Sequence, residues 1–226
     1  MQQSIFNYLL ISLVMTGLFS QIQAQDNPPD STRGIQKPTG IRLGTDLIIL
    51  GQTFGKSSRS GWELDADVDL GRYYPTFEYG RWTRDLPITN GNYTNDGRYI
   101  RLGADINFLL KDPDKNMFFL GFRYARAIFD EKVIYDYSAV DFGNFQKEAT
   151  NNGARAGWIE LTTGLRVKIW KQFWMGYTAR LKFLPIVTNN SGFESYEIPG
   201  YGLTYKSSYW GFNYQVFWRI PIRKTD

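Results

Sequence analysis

Four acidic side chains alternate with apolar ones in one stretch of the chain: Glu63, Asp65, Asp67 and Asp69. Clustered carboxylates can bind calcium or act as a general acid and base. At a spacing of two residues, however, they project along one face of a strand, over a span too long for a single ion. We therefore interpret this row as one side of an ion-pair network, and we predict no metal and no cofactor.

Histidine and cysteine are both absent from the 226 residues. Without an imidazole or a thiolate, the chain lacks Ser-His and Cys-His nucleophile pairs, disulfides and the usual zinc ligands. A pair of carboxylates could still cleave a glycosidic bond, but a filled interior would leave it no substrate pocket. Lys and Arg are scattered among Asp and Glu despite the formal charge of +4, which argues against a nucleic-acid partner. We predict that the chain is not an enzyme.

Beyond Gly40 the apolar residues recur at every second position, which is the period of a strand. This alternation predicts eight strands, at 41–50, 62–70, 73–82, 99–110, 117–129, 158–170, 173–187 and 209–222. Short connections at 71–72, 111–116 and 171–172 alternate with longer ones at 53–60, 84–97, 130–157 and 188–208. That order is typical of outer-membrane barrels, with both termini in the periplasm. We predict an all-β fold: an eight-stranded antiparallel up-and-down transmembrane β-barrel with a filled polar lumen.

A membrane barrel and a soluble barrel differ in which face of the strands, apolar or charged, points outward. A soluble barrel of the lipocalin type would hold the apolar face inside, but one barrel could hardly accommodate so many aromatic rings. We therefore place the apolar face outward, against lipid; Arg81 and Arg126 fall on it near a long loop, where their stems can reach the headgroups. The inward face then carries eight acidic and eight basic residues that pair in a sealed interior: Arg42, Asp46, Glu63, Asp65, Asp67, Asp69, Glu78, Arg101, Asp105, Arg123, Glu160, Arg166, Lys168, Arg180, Lys182 and Arg219.

The first residues have the composition of an export signal. The run YLLISLVMTGLF is apolar but too short to span a bilayer as a helix, and Ala24 fits a cleavage site. We expect a signal peptide at 1–24, a flexible periplasmic tail at 25–40, and the barrel at 41–226.

Two of the longer connections combine aromatic with small polar residues. Such mixtures occur in recognition surfaces, but they also occur in the aromatic girdle that borders the membrane. Both interpretations stay open. The candidate partner-binding residues are Tyr135, Tyr137, Phe142, Phe145, Phe193, Tyr196, Tyr201 and Tyr205.

The signal ending in QAQ, the lack of Cys and the last strand YQVFWRIPI resemble small outer-membrane proteins of the Bacteroidota. Over residues 40–226 the architecture is similar to the eight-stranded OmpX and OmpA barrels, and to a Bacteroidota barrel family of the DUF6048 kind. That resemblance implies an accessory component of the cell envelope.

The leading hypothesis is a non-enzymatic outer-membrane barrel that serves as an accessory or scaffold subunit of an envelope complex, with the outer-membrane protein assembly machinery as one candidate. Its expected partners are outer-membrane lipid and other envelope proteins, either membrane barrels or lipoproteins. The alternatives are a surface barrel for adhesion or defence, which binds partners through its loops, and a narrow channel.

Overall fold

The computed structural model describes residues 37–55, 57–139, 143–188 and 193–222. The predicted signal peptide, most of the predicted tail and Phe142 lie outside these ranges. No helix within them has both the length and the apolar character needed to cross a membrane.

Strands dominate the described residues, with one short helix near the start. The elements are β1 (Gly40–Asp46), α1 (Leu47–Phe54), β2 (Arg59–Asp69), β3 (Tyr73–Ile88), β4 (Gly91–Asn107), β5 (Met117–Ala139), β6 (Gly143–Trp170), β7 (Phe173–Thr188), β8 (Glu197–Ile198), β9 (Gly202–Leu203) and β10 (Ser208–Pro221).

Eight of these strands form one closed antiparallel barrel, in the order β1-β10-β7-β6-β5-β4-β3-β2. The ring closes because β1 pairs on one edge with β2 and on the other with β10, so that Arg42 lies opposite both Asp67 and Arg219. Strands β8 and β9 form a separate two-stranded sheet. The predicted all-β fold with eight antiparallel strands is therefore confirmed.

The period of two in the sequence becomes an inward and an outward face. In β5, Leu120 and Phe122 are 50% and 49% exposed. Arg123, which lies between the outward residues Phe122 and Tyr124, is 0% exposed. Successive strand residues point to opposite faces, so one face is charged and inward while the other is apolar and outward. The reverse orientation of a lipocalin-type barrel is not the one that the chain adopts.

The first predicted strand is too long, because β1 ends at Asp46 and the chain turns into α1. The Asp46 carboxylate accepts a hydrogen bond from the Ile48 N–H at 2.8 Å, which caps the helix. The following run LIIL is uniformly apolar, and such a run does not distinguish a strand from a helix. The prediction of a strand over 41–50 is wrong beyond Asp46.

Two of the predicted long loops, 84–97 and 130–157, are mostly strand. Strands β3 and β4 continue to a tight turn at Thr89 and Asn90, where Asn90 has a φ of 60°. Strands β5 and β6 likewise continue to Ala139 and Gly143, with one register shift between Phe129 and Glu131. The barrel wall therefore extends well beyond the predicted strand ends on this side.

The last connection folds back into the barrel instead of projecting away from it. Within residues 193–207, which we call the plug loop, Ile198 and Tyr201 are 0% and 1% exposed. They pack in a cluster with the inward residues Tyr99, Phe129 and Trp158. We call the end of the barrel where β1 begins and β10 ends the inner end, and the opposite end the outer end. The outer half of the barrel is thus filled by an apolar core that the plug loop completes.

Candidate functional site

A continuous chain of ion pairs crosses the inner half of the barrel. Arg42 Nε lies 2.8 Å from Asp67 Oδ1, and Arg166 Nη1 lies 2.6 Å from the other oxygen of the same carboxylate. Arg166 also reaches Asp105 at 3.4 Å, and Arg123 approaches Asp105 at 2.7 Å. These residues come from five strands and are nearly all inaccessible to solvent, so the pairs join opposite walls of the barrel.

The chain continues through Glu78 at mid-barrel. Its carboxylate lies 2.9 Å from Arg101, 3.2 Å from Arg123 and 2.9 Å from Arg180. Arg101 and Arg180 both contact Glu160 at 3.0 Å. Because guanidinium groups offer several donors in a plane, one arginine can satisfy two or three carboxylates at once.

Strand β10 joins the network through amides. The Gln215 side chain donates to Asp65 at 2.9 Å, and Asn213 accepts from Arg180 Nε at 2.5 Å while its own N–H group donates to Asp46. All eight barrel strands therefore contribute a polar side chain to the interior.

The tight filling of the interior also depends on a residue without a side chain. Gly121 lies opposite Asp105 in the β4–β5 register, and a Cβ atom there would collide with the Asp105 carboxylate and come within 2.9 Å of Arg123 Nη1. Gly121 thus permits the close pairing of Arg123 with Asp105.

The structure brings together fourteen of the sixteen predicted interior charges as buried residues. Lys168 does not lie in the interior, because β6 is near its end there; its ammonium group pairs with Asp114 at 2.7 Å and its side chain is 33% exposed. Arg219 lies at the inner rim, 3.2 Å from Asp69. Lys168 therefore lies away from its predicted position, whereas Arg219 pairs with a buried carboxylate of the interior.

Two buried carboxylates were missed by the sequence reasoning, Glu131 and Glu197, which are 1% and 0% exposed. Continuing the alternation of β5 by two residues would have found Glu131, whereas no pattern marks Glu197 in the plug loop. The buried set among the described residues is therefore ten acidic and six basic groups, which corrects the predicted equality. Arg59 and Arg84, both partly exposed, supply positive charge beside Glu197.

Glu131 and Glu197 define a second polar layer near the outer end. Glu131 accepts from the Tyr93 hydroxyl at 2.6 Å and from the Tyr196 N–H at 3.0 Å. Asn95 donates to the Glu197 carbonyl at 2.7 Å. Burial and the neighbouring Glu131 carboxylate raise the pKa of Tyr93, which keeps this phenol a hydrogen-bond donor. This layer fastens the plug loop to the barrel wall.

Glu63, Asp65 and Glu78 form the group of carboxylates most suited to a metal within the described residues, with one oxygen from each lying within 4.8 Å of the others. Arg101 Nη1 already lies 2.7 Å from Glu63 and 2.9 Å from Glu78. A guanidinium group therefore occupies the position of countercharge, and the arrangement favours an ion-pair network over a metal centre.

The predicted loop residues are divided between surface and interior. Tyr135, Tyr137 and Phe145 are exposed on the β5–β6 hairpin, and Tyr205 is 71% exposed on the plug loop. Tyr201, in contrast, is buried against Trp158 with ring centroids 5.8 Å apart, so it is unavailable to a partner. The remaining described members are Tyr196, which is exposed and packs edge-on against Tyr93, and the half-buried Phe193.

Fold and interior together define a class of protein: a closed eight-stranded antiparallel barrel, apolar outside and filled by ion pairs and a folded-in loop. Within that class, the chain belongs to the family described as Domain of unknown function (DUF6048), whose model matches residues 1–225. The resemblance to this family is confirmed, while a Bacteroidota source stays a prediction. No curated protein and no solved structure matches the chain significantly.

Proposed function

We propose that the chain is a non-enzymatic integral outer-membrane barrel that acts as a scaffold subunit of an envelope complex. The observation that carries this proposal is the inversion of polarity: charges are buried inside and large apolar side chains are exposed outside. Water would penalise such a surface, whereas hydrocarbon requires it.

The outward aromatic residues support a membrane position. Trp210 and Trp218 lie on the same outward face of β10, eight residues apart, and are 60% and 53% exposed. At ~3.3 Å per residue and a tilt of ~40°, they are separated by ~20 Å along the barrel axis. Trp170 and Tyr73 lie at the same end as Trp218. Trp210 at one level and the three aromatic side chains at the other fit the two borders of an apolar band ~25 Å tall.

The interior favours a scaffold over a channel. The ion-pair chain joins opposite walls in the inner half, and the plug loop fills the outer half. Eight-stranded barrels have an interior just wide enough for side chains, so this filling leaves little room for a conducting path.

The β5–β6 hairpin is the surface best suited to a protein partner. Past the register shift, β5 runs for nine residues from Glu131 to Ala139, about 30 Å at ~3.3 Å per residue. Tyr137 and Phe145 face each other across it and are 56% and 52% exposed. Pairing of β6 with β7 begins only at Arg155, so among the described residues the other edge of β6 is unpaired before it. A free strand edge with aromatic side chains can receive a strand from another protein.

Cross-linking in native membranes tests this function. Because the chain has no Cys, Tyr137→Cys and Phe145→Cys each carry a single thiol-directed cross-linker, with Tyr205→Cys on the plug loop as the matched control. We expect both hairpin positions to capture the same envelope protein and the control to miss it. Capture of no protein from the hairpin, or of the same mixture from all three positions, would refute the scaffold.

A surface barrel for adhesion or defence is the second candidate, and the exposed tip pair Tyr137 and Phe145 is the observation that favours it. A scaffold binds another protein of the same envelope, whereas an adhesion or defence barrel binds a protein from outside the cell. Replacing both residues with Ser should impair envelope assembly under the scaffold proposal, but only the binding of foreign protein under the alternative.

A further inference from the structure

The outward face of the barrel carries a group of arginines in an otherwise apolar region. Arg98 lies directly opposite Ile128, and Ile128 lies directly opposite Arg155 on the next strand. Arg126 is two residues before Ile128 on the same face, diagonal to both arginines. Three guanidinium groups from β4, β5 and β6 therefore surround one isoleucine, with Arg98 and Arg155 about 10 Å apart at two strand spacings.

These three arginines have no acidic partner among the described residues, although other outward cations do. Arg81 forms a pair with Asp96 at 2.7 Å, and Lys132 pairs with Glu148 at 2.8 Å. The outward carboxylates that follow toward the outer ends of β4 and β5 already have partners. Asp96 pairs with Arg81, and Asp130 accepts a hydrogen bond from the Gly153 N–H at 2.6 Å. Like charges placed on neighbouring strands repel each other, so an anion from outside the chain would stabilise the group.

A groove of about 480 Å³ joins these side chains and is lined by Tyr79, Arg98, Tyr99, Ile100, Arg126, Ile128 and Arg155. Its volume is within the range of ~300 to 1,000 Å³ typical of small-molecule sites. Ile100 and Ile128 are 36% and 44% exposed and form apolar walls. The groove thus combines a cationic rim with an apolar surface.

The position along the strands identifies the kind of anion. Arg98 is nine residues from Asn107 at the inner end of β4, and Arg126 is nine residues from Met117 at the inner end of β5. Nine residues of tilted strand rise ~23 Å, which places the arginines at the outer border of an apolar band ~25 Å tall. Lipid phosphates lie at that border, with their acyl chains directed toward Leu102 and Tyr124.

We propose that Arg98, Arg126 and Arg155 form a binding site for the phosphate headgroup of an outer-leaflet lipid. Guanidinium groups bind phosphate through paired, charge-assisted hydrogen bonds, and the isoleucines contact the first methylenes of the chains. A free phosphate would gain nothing from the apolar walls. This site rests on the proposed membrane insertion and adds a specific lipid partner to it.

Native mass spectrometry of the full chain in detergent micelles, titrated with phosphatidic acid and with phosphatidylcholine, tests the site. The test variant is Arg98→Gln/Arg126→Gln/Arg155→Gln. The matched control, Lys132→Gln/Lys147→Gln/Lys206→Gln, removes the same charge from the same end. We expect the wild type and the lysine control to retain one phosphatidic acid in preference to phosphatidylcholine, and the arginine variant to bind it about tenfold or more weakly.

Equal weakening in both variants would overturn the site, and so would displacement of the lipid by an equal concentration of inorganic phosphate. Gel mobility with and without heating first establishes that each variant is folded. A wild-type chain that does not fold in micelles would overturn both proposals, whereas a folded chain without lipid preference would overturn only the lipid site.

Discussion

Glu78 shows at the scale of one residue why the interior is built as a network. Three arginines from three strands surround its carboxylate at 2.9 to 3.2 Å. Moving charges out of water is costly, and the pairs offset that cost only when every donor and acceptor has a partner. The network therefore contributes less to net stability than to the choice of which strands meet and in which register.

Replacing Glu78 with Leu should destabilise the barrel, because Arg101, Arg123 and Arg180 would each lose a buried ion pair. Breaking a buried pair in this way costs roughly 3–5 kcal/mol. The measurement is the urea midpoint of the barrel refolded in micelles, followed by tryptophan fluorescence.

Asp96→Leu is the control for Glu78→Leu, because it breaks the exposed pair with Arg81 and should leave the midpoint unchanged. If the two variants shift the midpoint equally, then the interior network has no special role in stability.

At the scale of elements, the alternation of apolar and polar residues predicted the eight barrel strands. It also predicted that most of the interior charges point inward. It failed where the pattern was interrupted. The apolar run of α1 looks like a strand, and the polar and aromatic residues of the β5–β6 hairpin obscure its alternation.

The plug loop could not be predicted in the same way. Its placement depends on contacts between residues far apart in sequence, such as Lys182 with the Gly200 carbonyl at 2.6 Å and Asn95 with the Glu197 carbonyl at 2.7 Å. Glu197 was missed and Tyr201 was assigned to the surface because the sequence does not show that the plug loop folds back into the barrel.

Tyr201→Ala should release the plug loop while the barrel stays folded. The buried ring packs against Trp158 and its hydroxyl donates to the Lys206 carbonyl at 2.7 Å. Truncating a buried aromatic residue costs roughly 3–5 kcal/mol, so trypsin cleavage after Lys206 should accelerate roughly 100-fold or more.

Tyr205→Ala removes a ring that is 71% exposed, and cleavage of this variant should match that of the wild type. Unchanged cleavage in Tyr201→Ala would mean that the polar layer around Glu131, rather than the apolar cluster, retains the plug loop.

At the scale of the whole molecule, the inward charges and the outward apolar side chains depend on each other. Among the described residues, most large apolar groups point outward, so they would gain nothing from burial if the barrel folded in water. In the proposed membrane position, lipid supplies the apolar environment on the outside, and ring closure pairs each of the eight barrel strands on both edges over part of its length. Scaffold and lipid-site proposals both depend on this arrangement.

The depth of single cysteines in lipid tests that arrangement most directly. The chain has no Cys, so Leu120→Cys and Leu161→Cys on the outward face and Thr178→Cys on the inward face each give one labelling site. In vesicles, a fluorophore at either outward position should be quenched by nitroxide on lipid acyl chains and protected from aqueous quenchers, whereas the buried inward thiol should resist labelling until the barrel is unfolded. Outward labels that respond to aqueous quenchers and not to lipid nitroxides would contradict insertion in the membrane.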